Sequence, residues 1–455
     1  MTANGAALNR ENVGILGMEV YFPKRYVDQA ELEQFDGVSA GKYTIGLGQS
    51  KMAVTDDRED IASFCLSVVQ NFMEKYQVKY ESVGRLEVGT ETIVDKSKST
   101  KSVLMQLFKE SGNYAVEGID TTNACYGGTS ALFNAVQWCQ SEFWDGRYAL
   151  VVAADIAVYA KGNARPSGGA GAAVMLVGPD APLVMEPGLR STHIEHLYDF
   201  YKPDLSSEFP EVDGPLSVVS YVRFVDACYA KFLKLVEQKD GVTHASLDNA
   251  ADFFVFHSPY TKQVTKGLAR MSYIDFTRQP DAPQFEAAQA YKDLPYQDSL
   301  TLKDLERTFV GLSKSVMAKK VAPSLLAARE IGNSYCASVY FCLASLISEV
   351  PPEQLAGRRI AMFSYGSGSA ASMFSLRVRG DTTKMAQNLL VRQRLESRAK
   401  ISAEAFDQLM SLRESTHQLR DYQPTGDLAN LFPGTYYLES IDSKFRREYK
   451  RTPLN

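Results

Sequence analysis

Three residues of this chain have the type and setting that acyl chemistry needs. Cys125 lies in "NACYGG", where an apolar segment turns through Gly127 and Gly128 into the small-residue helix pattern "TSALFNAVQWCQ". A cysteine at a helix start feels the positive end of the peptide dipole, which favours thiolate, and the free N–H groups there can receive an oxyanion. The pattern predicts an acyl-accepting nucleophile, set against the plainer alternative of a buried structural thiol. His257 follows the apolar run "FFVF" and precedes Pro259, the end of a buried strand where functional side chains collect in α/β sheets. It has the residue type of an acid/base partner, or of a satisfied core histidine. Glu91, in "VGTETIVDKSKS", ends the strand "RLEV" at a Gly-Thr turn, where burial would raise a carboxyl pKa towards the general-base range. Lys262 and Lys266, four apart in a helical segment, present two amines on one face, towards a phosphate-bearing ligand or towards solvent.

Elements that position these groups follow from periodicity. Strand-like and helix-like segments alternate, which favours an α/β architecture. Strands are predicted in 12–23, 84–94, the approach to "NACYGG" and 147–159, and helices in 59–76, 99–111 and "SALFNAVQWCQS". Two patterns recur in the second half. "RYALVVAADIAVY" with "PSGGAGAAVMLVG" matches "RRIAMFSYGSGSAASMFSLRV" (358–378), and "NACYGGTSALFNAV" is echoed by "GNSYCASVYFCLASLI" (332–347). This order suggests an internal duplication of a five-element α/β unit, with an active site at the junction of the copies. Residues 199–220, rich in Pro, Asp and Ser, read as a long ordered loop, and the charged helical tail from about 381 reads as packing around the core.

Composition narrows the class. The chain has 455 residues, 45% hydrophobic and 23% charged, with a net charge of −5 and scattered basic residues, so nucleic acid is a poor candidate partner. Asp155 interrupts the longest apolar run, 148–160, which is too short for a membrane span. The first dozen residues have neither a signal core nor an Arg-rich presequence, so a cytoplasmic protein is expected, with no membrane partner. Six widely spaced cysteines without a CxxC pair suggest reduced thiols and no metal site, and the pair His193 and His196 in "HIEH" reads as surface histidines. "GSGSAA" (366–371) fits a dinucleotide fingerprint, but it is followed by the strand-like "SMFSLRV" where a nucleotide loop must open a helix; a β-hairpin explains it better.

Taken together, "GKYTIGLGQ", "GRLEVGTETIVDKSKS", "NACYGGTSALFNAVQW", "WDGRYALVVAADIAVYAKGNARPSGGAG", "YDFYKPDLSSEFPEVDGPLS", "VFHSPYTK", "FSYGSGSAASMFS" and "YYLESIDSKFRREY" resemble the eukaryotic 3-hydroxy-3-methylglutaryl-CoA synthases of the thiolase superfamily, in order and over nearly the whole chain. The resemblance implies an α/β thiolase-like fold, two pseudo-duplicated halves (12–184 and 185–455) in αβαβα layers, and a homodimer. It implies Glu91, Cys125 and His257 as catalytic residues. Acetyl-CoA acylates the cysteine, the carboxylate deprotonates the acetyl methyl, and the carbanion attacks acetoacetyl-CoA with the histidine assisting. Hydrolysis then releases the product to the mevalonate pathway. No cofactor is implied, CoA thioesters being substrates. Ala40, Asn163, Ser167, Ser217, Lys262, Lys266, Asn333 and Ser367 fall where the family contacts substrate. The family pattern has threonine at Ser167 and "GNMYTAS" where this chain reads "GNSYCAS", so Ser334 and Cys336 alter the wall beside Asn333. Two rivals share these residues: a ketoacyl-synthase-like enzyme, which needs no methyl-proton base and so no Glu91, and a silent acyl-CoA-binding or redox-sensing protein.

Overall fold

A nearly unbroken apolar strand has to be covered on both faces, and the run through Val151 and Val152 sets the architecture of this chain. The computed structural model describes residues 8–454. Its main sheet contains, in chain order, β1 (Gly14–Tyr21), β2 (Val83–Gly89), β3 (Asp120–Thr121), β4 (Tyr148–Ala157), β5 (Gly169–Gly178), β6 (Leu183–Ile194), β7 (Phe253–Phe256), β8 (Arg359–Gly366) and β9 (Ala370–Val378). The helices that matter to the site are α1 (Ile61–Tyr76), α2 (Gly127–Gln140), α3 (Gly214–Asp240), α4 (Thr261–Arg278) and α5 (Ser338–Glu349).

The strands lie in the order β7-β8-β9-β6-β1-β5-β4-β2-β3. In the first half β2 runs parallel to β4, β4 antiparallel to β5 and β5 antiparallel to β1. In the second, β7 is parallel to β8, β8 antiparallel to β9 and β9 antiparallel to β6. The halves meet where β1 and β6 pair through Gly14↔Val184 and Ile15↔Leu183. Helices repeat in step: α1 precedes β2 as α3 precedes β7, and α2 precedes β4 as α5 precedes β8. The echo between "NACYGGTSALFNAV" and "GNSYCASVYFCLASLI" is therefore the echo of two equivalent helix starts.

Layers follow from which faces these elements bury. Along β4, Ala149, Val151 and Ala153 join a core with α2 and α5, while Leu150, Val152, Ala154 and Ile156 join one with Phe64, Val68 and Phe72 of α1. Helix α5 packs on strands of both halves, and α3 covers β6 and β9. Helix α2 reaches across too, with Phe133 edge-on to Phe374 of β9. The stack is α1, first-half strands, α2 with α5, second-half strands, α3.

Several expectations need correction. The strand predicted over 84–94 stops at Gly89, and the approach to "NACYGG" contributes only the two residues of β3. The helix predicted over 99–111 is an α-helix only at Thr100–Leu104, tightening to a 3-10 turn at Met105–Phe108. Among the described residues β3 has no counterpart strand in the second half, where Gly332 instead bridges to Gly169. The segment 199–220 is not all loop. Phe200–Tyr201 pairs with Glu211–Val212, and Asp213 caps α3 by accepting from Leu216 N, with a proline in the first turn. The tail wraps back onto the first half: Ala399–Ile401 adds to Arg25–Asp28, Phe406 and Met410 enter the α1 core, and Tyr436 N donates to Ser67 of α1.

Close approach of β2 to α2 is what brings the ends of these elements together. A Cβ on Gly89 would stand 2.2 Å from Gly128 N and 2.3 Å from Gly128 Cα, both backbone atoms that cannot yield. Gly89→Ala is expected to cost about 3 kcal/mol, read as a lowered melting midpoint. Gly214→Ala, at the helical first turn of α3 with open space around it, should leave the midpoint unchanged or slightly raised.

Candidate active site

Glu91 and Cys125 are brought into contact by that approach. Glu91 lies two residues past β2 and Cys125 two residues before α2, and Cys125 Sγ donates to Glu91 Oε1 at 3.6 Å. Both are 8% exposed. Tyr159, Phe200 and Tyr335 pack around the thiol. Burial pushes the Glu91 carboxyl up to about 7, opposed by the Lys202 ammonium and reinforced by Asp155.

The expectation of a dipole-activated thiolate is overturned. Cys125 lies ahead of the first helical residue, Gly127, and the N–H groups of Tyr126 and Gly127 are already given to the carbonyls of Asn123 and Ala124. Burial raises the thiol well above its ordinary range, and the charges of Glu91 and Asp155 raise it further. A helix terminus is worth about 1 kcal/mol or less in most settings, whereas a like charge at about 4 Å is worth about 4 kcal/mol at an effective dielectric near 20. The carboxylate wins, the thiol stays protonated, and its activation must come from proton transfer to a neighbour.

Two residues that sequence reasoning did not select organise the pair. Asp155, near the end of β4, is fully buried. Its Oδ1 accepts from Thr90 Oγ1 at 2.9 Å, Glu91 N at 2.8 Å, Thr92 N at 2.9 Å and Thr92 Oγ1 at 2.8 Å. Its Oδ2 accepts from Cys336 N at 2.9 Å. One carboxylate thus fixes the Glu91 turn of the first half and the start of α5 in the second. The available signal was the acidic residue inside an otherwise apolar run. Lys202 reaches in from the 199–213 segment, with Nζ 3.4 Å from Glu91 Oε2. Its signal was hidden by a composition that reads as loop.

His257 follows β7 directly, 2% exposed, with its N–H on Phe363 O of β8. Tyr221 donates to its carbonyl at 2.7 Å, and Ser258 is locked to Ser338 at the start of α5. Burial lowers the imidazole pKa to about 3, so the ring is neutral, and Nδ1 has no protein partner. Among the described residues no hydrogen bond joins the ring to Glu91 or Cys125. The strand beside it, β8, ends at Gly366, where a Cβ would meet Tyr126 N at 2.5 Å and Asn123 O at 2.6 Å, so the second half closes directly over the Cys125 turn.

The remaining selected residues fall into two groups. Asn333 is buried, with its N–H on the Ser167 and Gly168 carbonyls and its Oδ1 accepting from Tyr335 N. Ser367, in the β8–β9 turn, accepts from Asn123 Nδ2 through its carbonyl at 3.4 Å. Asn333, Ser367 and Ser167, whose carbonyl holds Asn333, make up this first group. Nearer the surface, Lys42 donates to Asn163 at 3.0 Å, so the exposed turn carrying Ala40 faces the 161–167 loop. Lys262 N donates to Leu47 O, docking that turn on the start of α4, and Gln263 donates to Val218 O beside Ser217. Lys262 and Lys266 both lie on α4, but Lys266 is paired with Glu306 at 3.4 Å. Of the departures, Cys336 Sγ donates to Ala124 O at 3.1 Å, directly behind Cys125, and Ser334 Oγ is buried without a partner. All six cysteines are free, and the "GSGSAA" segment is the β8–β9 hairpin. Among the described residues no cluster of His, Cys, Asp or Glu is placed to hold a metal ion.

Comparison with known proteins agrees along the whole chain. A family described as "Hydroxymethylglutaryl-coenzyme A synthase N terminal" matches residues 9–182, and "Hydroxymethylglutaryl-coenzyme A synthase C terminal" matches 183–452. The chain is 51% identical over 463 residues to the cytoplasmic hydroxymethylglutaryl-CoA synthase of Homo sapiens, covering 99% of this chain and 89% of that one. It is 52% identical over 450 residues to the hydroxymethylglutaryl-CoA synthase of Gibberella zeae, covering 96% and 98%. Its fold superposes with a TM-score of 0.84 and 30% identity on the solved structure of MvaS in complex with 3-hydroxy-3-methylglutaryl coenzyme A, over 97% of this chain and 99% of that one.

The Asp155 hub carries a measurable load. Asp155→Ala strands five donors at about 1–3 kcal/mol each for those that find no water, and is expected to lower stability by at least about 3 kcal/mol. Amide hydrogen exchange at Glu91 and Thr92 should accelerate in the same variant. Asp155→Asn, which keeps one acceptor oxygen, should fall between it and the parent chain in both measurements.

Proposed function

The chain belongs to the hydroxymethylglutaryl-coenzyme A synthase family, and from that premise we propose that it condenses acetyl-CoA with acetoacetyl-CoA and water, giving 3-hydroxy-3-methylglutaryl-CoA and CoA through an acetyl group carried on Cys125. The observation that carries this reading is the contact between Glu91 and Cys125: a carboxyl raised to about 7 stands 3.6 Å from the thiol in a dry aromatic pocket.

Each step suits the residues present. Cys125 is a protonated thiol, so Glu91 takes its proton as sulfur attacks the acetyl-CoA carbonyl, and the proton leaves with CoA. With the acetyl group fixed on sulfur, the carboxylate that faced the thiol faces the acetyl methyl. A thioester methyl is a weak carbon acid, and a nearby base with a pKa near neutrality suits it. The resulting enolate attacks the ketone carbon of acetoacetyl-CoA. His257, held neutral by burial, meets the ketone oxygen as an N–H donor and not as a cation; the alkoxide formed there takes up one proton to become the hydroxyl, balancing the methyl proton that Glu91 holds and gives up before the next cycle. Water then cleaves the acyl–Cys125 bond.

The halves divide the work: 12–184 supplies Glu91 and Cys125, and 185–455 supplies His257 and Asn333. Lys262, Lys266, Ala40, Asn163 and Ser217 would meet CoA at the rim, and Ser167, Asn333 and Ser367 the acyl end. CoA thioesters are the substrates, and no further cofactor enters these steps. A homodimer would form on the open edge at β3, flanked by the exposed Ile93 and Ile119. Relatives named cytoplasmic, from human and other animals, support a cytoplasmic enzyme of the mevalonate route.

Two measurements test the assignment. Glu91→Ala should still gain an acetyl mass on Cys125 from acetyl-CoA, though slowly, while condensation falls roughly 10²–10⁴-fold; normal product formation would sink the role given to Glu91. Because the base must be ionised, kcat/KM should fall about tenfold per pH unit as pH drops below about 7, not below the ordinary carboxyl value of 4.5.

A further inference from the structure

Lys202 has no part in the division of labour above, yet it touches its central residue. The two carboxylate oxygens of Glu91 face opposite partners: Oε1 meets Cys125 Sγ at 3.6 Å and Oε2 meets Lys202 Nζ at 3.4 Å. The ammonium lies 5.0 Å from the Tyr335 ring centroid and 5.8 Å from that of Phe200, so two aromatic rings flank it. It is held from behind. Asp199, three residues earlier, accepts from Tyr365 Oη and Gly368 N of the second half, and Glu208 of the same segment pairs with Arg413 of the tail.

We propose that Lys202 is a positioning residue of the condensation: its ammonium grips Glu91 Oε2, turning Oε1 towards the acyl-cysteine, and keeps that carboxylate ionised in a pocket whose burial would otherwise neutralise it. This rests on the reading of Glu91 as methyl-proton base and Cys125 as acyl carrier. The groups facing the pair are Asp155 behind Glu91, the Cys125 and Cys336 thiols, and the Tyr159 and Tyr335 hydroxyls. Glu208, Arg413 and His417 stand beyond Lys202. Within that set Asp155 pushes Glu91 towards the neutral acid and Lys202 is the cation that opposes it. Burial also works against the lysine's own charge, but Glu91 and Asp155 outweigh it, so the amine is more firmly protonated than in water.

The role is separable from a structural one by its pH signature. The wild-type enzyme, Lys202→Met and Lys202→Arg are compared by the pH profile of kcat/KM and by acetyl-Cys125 yield in intact-mass measurements. Loss of an opposite charge this close raises a carboxyl pKa by about 1–3 units, so the acidic limb of Lys202→Met should move up by about 1–3 pH units. Its rate at neutral pH should fall on the order of tenfold or more and recover at alkaline pH. Lys202→Arg should keep the limb near that of the wild type, and added ethylammonium should restore part of the rate to Lys202→Ala. An acidic limb in Lys202→Met that coincides with the wild type, or a loss equal at every pH, overturns the proposal. If Lys202→Met does not fold, Lys202→Gln is read in its place. A wild-type enzyme that acquires no acetyl group on Cys125 would refute the underlying site assignment instead, and would do so before any Lys202 variant is compared.

Discussion

Everything at this site hangs on one buried carboxylate. Placing Asp155 near the end of a strand covered on both faces costs several kcal/mol in lost hydration, and the hydrogen bonds it collects are the compensation. The donors come from two places far apart in sequence, the turn after β2 and the start of α5. One charge therefore ties the first-half loop that carries Glu91 to the second-half helix that follows Asn333. Without that tie the close approach of β2 and α2 would still bring Glu91 near Cys125, but the backbone turn that presents its side chain would lose the acceptor that holds it.

The same carboxylate creates an electrostatic problem. Two acids and a thiol share a dry pocket, and their mutual repulsion favours protons on all three. Lys202 is the counterweight. The outcome is a carboxyl raised to about 7 beside a thiol raised well above its ordinary range, with one ammonium opposing the rise of the carboxyl. A nucleophile that stays a thiol until substrate arrives is also less exposed to adventitious oxidation, since the thiolate is the reactive form.

Much of the architecture was legible in the sequence because burial leaves a periodic trace. The paired strands around "GSGSAA", the doubly buried strand that contains Asp155 and the echo between the two helix starts all came from local pattern, and the topology repeats them. What was not legible depends on partners distant in sequence. The direction of the Cys125 shift is set by neighbours that only folding supplies, so helix-start reasoning alone gave the wrong sign. Lys202 was lost in a stretch whose Pro, Asp and Ser content reads as loop, although Asp213 followed by Gly and Pro was a usable start signal for α3. The pairing of Lys266 with Glu306 and the docking of the tail on the first half likewise join segments that no window of sequence sees together.

That docking sets an order of events during synthesis. The apolar core of the first half that α1 belongs to also takes in Phe406 and Met410 of the tail, and Ser67 of α1 is met by the backbone of Tyr436. The first half is complete as chain by residue 182 or so, but these tail residues arrive more than two hundred residues later. At roughly 5–20 residues per second that leaves the core without them for on the order of tens of seconds on the ribosome. The nascent first half thus lacks these tail contacts for most of the time the second is being made.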